Sequence, residues 1–382
     1  MVSLIVDVGR RQLILLIAEV KVIQKLESEE DFFKRQNIVS IWLYTIIFFV
    51  MCTVIIGGLT RLTGSGLSMV DWRPITGWLP PLTDVNWLII FEEYKKTPEY
   101  LIINKGINLQ EFKQIFWLEY IHRLWGRIIG LIFILPFIFF LFKGWINSAL
   151  GIRLLGVLVL GGAQGVMGWY MVQSGLSVSP EVSQYRLAAH FSIALVIVAS
   201  LFWIARGLNQ SFITNLHRFN SNEVITLRRK AYLLLGFVSI TACSGAFVAG
   251  LDAGEAFNTF PLMDGKLIPD GLFALVPLYI NFFENSLTVQ FSHRVLALLT
   301  ASLIIFFWFG AQRSWIPKST VLPIHCLLIA VIAQVGLGVG TLLFFVPLTL
   351  AIAHQTVSVI LFICAVWLAR EVTPSSVVKL EK

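Results

Sequence analysis

Four histidines, His122, His190, His293 and His354, stand near one end of long apolar runs, where an imidazole is costly to place in lipid. They form two matching pairs. "IHRLWGRIIGLI" aligns with "SHRVLALLTASL", which sets His122-Arg123 on His293-Arg294, and "RLAAHFSIALVI" aligns with "LAIAHQTVSVIL", which sets His190 on His354. Between them "GGAQGVMG" falls on "VIAQVGLG", pairing Gln164 with Gln334 and Gly168 with Gly338. A hydrogen bond to a neighbouring helix accounts for a single intramembrane histidine as well as a ligand does; two repeated pairs call for something shared. One imidazole from the second helix and one from the fourth of a four-helix unit suit a flat iron macrocycle, so bis-histidine haem ligation of all four is the expected chemistry. A bare zinc or copper ion is the weaker alternative, because a pair without a nearby thiolate or second carboxylate underfills its coordination sphere.

The two halves differ at one informative position. Three residues before the histidine stands Glu119 in "EYIHRLWGR", but Gln290 in the second half. At that spacing the carboxyl and the His122 imidazole share a helix face. An acid there can move protons and an amide cannot, which makes Glu119 the candidate catalytic residue and suggests that one half does chemistry while the other carries electrons. The competing account is structural: a carboxylate at a helix N-terminus, interacting with the dipole or with Arg123 or Arg127. Arg123 and Arg294 suit anionic propionates, or snorkel to the interface. His217, in a polar connection, and His325, without a counterpart, are left out of the site.

The elements that must position these residues follow from composition. The chain has 382 residues, 57% hydrophobic and only 13% charged, with a mean hydropathy of +0.80, far from a soluble domain. Apolar runs near 41–60, 121–142, 150–172, 187–207, 231–250, 288–311, 319–345 and 350–369 are each close to the roughly 20 residues a span needs. The expected fold is an all-α integral membrane protein whose eight transmembrane helices form two pseudo-symmetric four-helix bundles. With four spans per half the repeat is parallel, so equivalent sites lie at one depth, and the four histidines are expected within the first turn or so of their helices, at the outer face. The net charge of +7 comes from basic residues at helix ends, not from a nucleic-acid-binding face; their alternation places both termini on the cytoplasmic side. No cleavable signal is expected in residues 1–36. Cys52, Cys243, Cys326 and Cys364 lie in or beside apolar runs and are read as packing residues. Gly161 to Gly165 and Gly336 to Gly340 are read as close helix contacts.

At this point the chain resembles the haem A synthases over about residues 38–372. The stretches that carry the resemblance are "GGLTRLTGSGLSMVDWRPITGWLPPL", "EYIHRLWGR", "GLDAGEAFNTFPLMDG" and "FFENSLTVQFSHR". The resemblance implies oxidation of the C8 methyl of haem O to the formyl of haem A for cytochrome oxidase. It implies a haem b cofactor on His293 and His354, the substrate haem on His122 and His190, and Glu119 as the catalytic residue. The long loop 61–115 has no cysteine pair, which points to the cysteine-free branch shared by proteobacteria and mitochondria. The implied partners are haem O, the bilayer, a haem O synthase as donor and an electron acceptor, with homo-oligomerisation open and no nucleic acid. The compartment is the bacterial plasma membrane, with the mitochondrial inner membrane as alternative. The expected division is a cytoplasmic segment 1–37, a substrate-haem half 38–207, a linker 208–230, a haem b half 231–372 and a tail 373–382. Two rivals stay open: a di-haem cytochrome b serving a quinone, and a haem or small-molecule transporter, against which the clustering of ionisable residues at one face speaks.

Overall fold

The computed structural model describes residues 2–73, 76–176, 180–208, 221–314 and 316–373, with backbone alone over 2–29 and at Ser221. Eight of its helices are long and apolar enough to cross a membrane, and among the described residues the β pairing is an isolated bridge between Met263 and Lys266. In chain order the helices are α1 Val2–Leu62, α2 Asp84–Tyr94, α3 Pro98–Ile102, α4 Leu109–Phe142, α5 Ser148–Gly175, α6 Gln184–Leu208, α7 Ser221–Gly250, α8 Asn281–Glu284, α9 Ser286–Gln312, α10 Lys318–Leu343 and α11 Leu348–Glu371. The spans are α1 from Glu30 onward, α4, α5, α6, α7 from Asn222 onward, α9, α10 and α11. The eight expected spans are all present. His217 and the tail beyond residue 373 lie outside the described residues.

Helix α1 packs on α4 and α6, and α5 on α6; likewise α7 packs on α9 and α11, and α10 on α11. The halves meet through α1, α6, α7 and α11. An even number of spans puts the start of the first and the finish of the last at one end of the bundle. There the core is dense: Leu43, Ile46, Leu201, Leu234, Ile304, Leu327 and Leu368 are buried together. Polar locks reinforce it. Arg206 donates to Glu371 at 2.5 Å and Trp367 to the same oxygen at 3.0 Å, while Ser40 of α1 donates to the Ala205 carbonyl of α6 at 3.0 Å.

At the opposite, loop-bearing end a second cluster forms. The loop before α4 contains α2 and α3, whose Trp87, Phe91 and Tyr94 bury against Phe112, Phe116 and Tyr120 of α4. Each such aromatic contributes roughly 1.5–3 kcal/mol by leaving water. Thr83 and Thr97 cap α2 and α3, and Pro98 sits where a helix needs no N–H. Helix α4 opens with a reciprocal capping box between Asn108 and Glu111. Its 34 residues rise to about 51 Å at 1.5 Å each, beyond the roughly 30 Å hydrocarbon layer, so its first turns stand clear of the membrane.

That length corrects one expectation. His190, His293 and His354 fall in the second turn of α6, α9 and α11, close to the expected place, but His122 comes in the fourth turn of α4. The helix-dipole account of Glu119 falls with it, because the orphan amides of α4 are at Asn108 and beyond, ten residues away.

Candidate functional site

Each histidine ring lies against a glycine of a neighbouring helix. A Cβ added at Gly57 of α1 would stand 3.2 Å from His122 Nε2, and one at Gly245 of α7 would stand 3.1 Å from His293 Cε1. At Gly168 of α5 it would be 3.1 Å from His190 Cε1, and at Gly338 of α10 only 2.7 Å from His354 Cε1. Four glycines therefore make room for four imidazoles, in corresponding places of the two halves. Protein surrounds all four rings, yet each retains accessible surface. The two observations agree if the rings face internal spaces.

The hydrogen bonds show what such a space could hold. Gln164 Nε2 lies 3.2 Å from His190 Nε2, and Gln334 Nε2 lies 3.4 Å from His354 Nε2. With the amide nitrogen as donor, it meets the lone pair that a metal would take. Oε1 of Gln164 and Gln334 is buried without a partner, a state that normally signals a missing one, whereas Nδ1 of His190 and His354, with no hydrogen bond of good geometry, still lies against the backbone of that glutamine. No group of three or more His, Cys, Asp or Glu side chains able to hold an ion occurs among the described residues. A naked ion would be under-coordinated on these pairs, whereas a macrocyclic iron brings four ligands and needs two. The residues present fit a haem in each half.

Glu119 and Gln290 are equally buried, each 2% exposed, but wired with opposite polarity. Glu119 Oε2 accepts from Ser68 Oγ at 2.7 Å and from the Met69 amide at 2.8 Å, and Oε1 accepts from Arg123 at 2.5 Å. Gln290 Nε2 donates to the carbonyls of Ala253 at 2.8 Å and Phe257 at 3.2 Å, and its oxygen accepts from Arg294 at 3.1 Å. A carboxylate can only accept and an amide nitrogen can only donate, so each loop is built for its own residue. The arginines are committed to the same loops: Arg123 donates to the Met69 and Asp71 carbonyls at 2.9 Å each, and Arg294 donates to Thr259 and Phe257 at 2.8 and 2.7 Å. Neither reaches outward like a snorkelling side chain. His325 bonds the Val321 carbonyl of its own helix at 2.8 Å, apart from the site.

Sequence reasoning missed Ser68, Gly57, Gly245 and Ser244, which lies 2.8 Å from His293 Nδ1. The only available signal for Gly57, Gly245 and Ser244 was their place in the two repeats, in "VIIGG" and "ACSGA". It also missed Glu99, which is buried, receives the Tyr94 hydroxyl at 2.9 Å and is raised to about 7, first by burial and further by the Glu119 charge, against the lowering effect of Tyr94.

Residues 40–366 match the COX15-CtaA family, described as cytochrome oxidase assembly protein. A haem A synthase of Nitrosomonas eutropha is 48% identical over 335 residues, 88% of this chain and 94% of that protein. One of Nitrosospira multiformis is 46% identical over 353 residues, 90% of this chain and 96% of that protein. The haem A synthase COX15 of Arabidopsis thaliana is 45% identical over 328 residues, 84% of this chain and 72% of that protein.

Proposed function

Since this chain belongs to the COX15-CtaA family of cytochrome oxidase assembly proteins, we propose that it is a haem A synthase, an oxidoreductase that converts the C8 methyl of haem O to a formyl group. His122 and His190 receive haem O, and His293 and His354 hold a resident haem b. The conversion removes four electrons and four protons and takes one oxygen atom from a co-substrate such as water; when bound, the haem b would supply a one-electron carrier that passes those electrons to an external acceptor. The observation that carries this reading is the repeated pair of glycine-backed imidazoles, with a buried carboxylate three residues before the histidine in one half and a buried amide at that place in the other.

Glu119 is the proton-handling residue. Its carboxylate receives the Ser68 hydroxyl, the Met69 amide and the Arg123 guanidinium, so a proton taken up there has to displace one of these donors. Trp72 of the loop that Glu119 and Arg123 tether stacks on Trp169 of α5 at 5.3 Å, which joins that loop to the helix whose Gly168 backs His190. The same reading places the protein in a bacterial plasma membrane, or its mitochondrial equivalent, with both termini inside and a haem O synthase as donor.

The test is the haem content of protein purified from cells that make haem O but lack their own haem A synthase. Haem A or hydroxylated haem O beside haem b is expected. Haem b alone, with the haem O supply verified, would overturn the reading in favour of an electron carrier.

A further inference from the structure

The four imidazoles differ in what fixes them. His190 and His354 meet a glutamine amide at Nε2, the atom an iron would take, so a bound haem would displace that contact, whereas His293 is held at the opposite nitrogen, Nδ1, by Ser244. His122 has no hydrogen-bond partner among the described residues, and its nitrogens are not among the sealed, orphaned ones. Ser244 also contacts the Thr241 carbonyl at 2.8 Å. A hydroxyl has one proton, so both contacts hold together only if Ser244 donates to Thr241 and His293 Nδ1–H donates to Ser244. That fixes the tautomer: Nε2 carries the lone pair, and the ring cannot turn without breaking the bond.

The corresponding residue in the first half is Ile56. Gly57 backs His122 as Gly245 backs His293, and the residue preceding each glycine is Ile56 in one half and Ser244 in the other. An isoleucine offers no acceptor. The rings also lie differently: Nε2 of His122 is the atom nearest Gly57, whereas Cε1 of His293 is nearest Gly245.

We propose that Ser244 is a positioning residue that locks His293 as a permanent haem ligand, and that Ile56 at the matching place leaves His122 free to turn, making it the exchangeable ligand through which substrate haem is admitted and product released. This rests on the haem reading above and assigns the resident and the transient site from the chain's own residues. A resident cofactor needs a ligand that stays; a substrate of the same chemistry needs one that lets go.

The experiment compares wild type with Ser244→Ala, Ile56→Ser and, as a better-packing alternative, Ile56→Thr, all full-length in detergent. Two readouts do not depend on turnover: the rate of haem loss to excess apomyoglobin, and carbon monoxide binding to the reduced haems, which requires an iron position to open. In wild type carbon monoxide is expected on the substrate-side haem only. Ser244→Ala should speed loss of haem b by about 10- to 100-fold, the usual effect of removing a group that orients a histidine ligand, and open that haem to carbon monoxide. Ile56→Ser or Ile56→Thr should slow haem loss and carbon monoxide binding at the first site while leaving haem b content unchanged. Equal carbon monoxide reactivity of the two haems in wild type, or unaltered haem b loss in Ser244→Ala, overturns the exchangeable-ligand proposal. Protein that holds no haem on either pair overturns the haem reading itself, and the proposal with it.

Discussion

The two loop-bearing ends of the molecule solve one problem with opposite chemistry. In the first half a buried carboxylate gathers a hydroxyl, a backbone amide and a guanidinium; in the second a buried amide reaches two carbonyls and the guanidinium of Arg294. The lesson is that Glu119 and Gln290 are not interchangeable tethers. Each is selected by the direction in which the neighbouring backbone presents its hydrogen bonds. Only the first arrangement contains a carboxyl group, three residues before its histidine.

Reciprocal substitution tests the comparison most severely. Gln290→Glu would face a carboxylate with the Ala253 and Phe257 carbonyls, and leaving a buried charge so opposed should cost about 3–5 kcal/mol. Thermal unfolding in detergent, with loss of bound haem from the second half, checks it; an unchanged midpoint would show that this loop does not depend on polarity.

Glu119→Gln should be milder in stability, about 1–3 kcal/mol, since one misdirected NH2 group meets donors. It should retain haem on all four histidines yet stall turnover. A normal rate with an unshifted pH profile would remove Glu119 from proton handling and leave it a tether.

Glu99 adds a pH dependence that the second half lacks at the matching place. Its carboxyl is raised from 4.5 to about 7 by burial. The protonated form is thus favoured in the fold, so the stabilisation is full below about pH 4.5 and lost as pH rises to about 7. The sum is about 3 kcal/mol. Glu99→Gln should flatten this dependence, read as hydrogen-exchange protection of residues 84–120 between pH 5 and 8. An identical slope in the variant would place the titrating group elsewhere.

The smallest effect is expected from Ser68→Ala, which removes one of three donors to Glu119 and should cost about 1 kcal/mol. If Ser68 tunes the proton affinity of Glu119, turnover falls well beyond that loss and its pH profile shifts; if it only tethers the loop, rate and stability fall in step.

The spans and the histidine pairs were legible because lipid imposes length and apolarity on every crossing segment and makes each imidazole within one conspicuous. The asymmetry between Glu119 and Gln290 was equally visible. Its meaning was not, since whether Met69 offers an N–H and Phe257 a carbonyl depends on how a loop returns to its helix. Helices α2 and α3 were hidden because they are short, mixed in polarity and stabilised by the aromatic face of α4. The position of His122 along α4 was misjudged because a capping box at Asn108, outside the apolar run, starts the helix three turns early.

By itself the sequence determined the membrane architecture, the repeat and the four imidazoles, each being a matter of residue type and period along the chain. Only the tertiary structure decided which glycine backs which ring and that Ser244 stands on His293 while Ile56 occupies the matching place at His122. It alone set the hydrogen-bond polarity around Glu119. Those features join side chains far apart in sequence, and hydrogen bonds depend on direction and on distances of about 3 Å, which no one-dimensional pattern encodes.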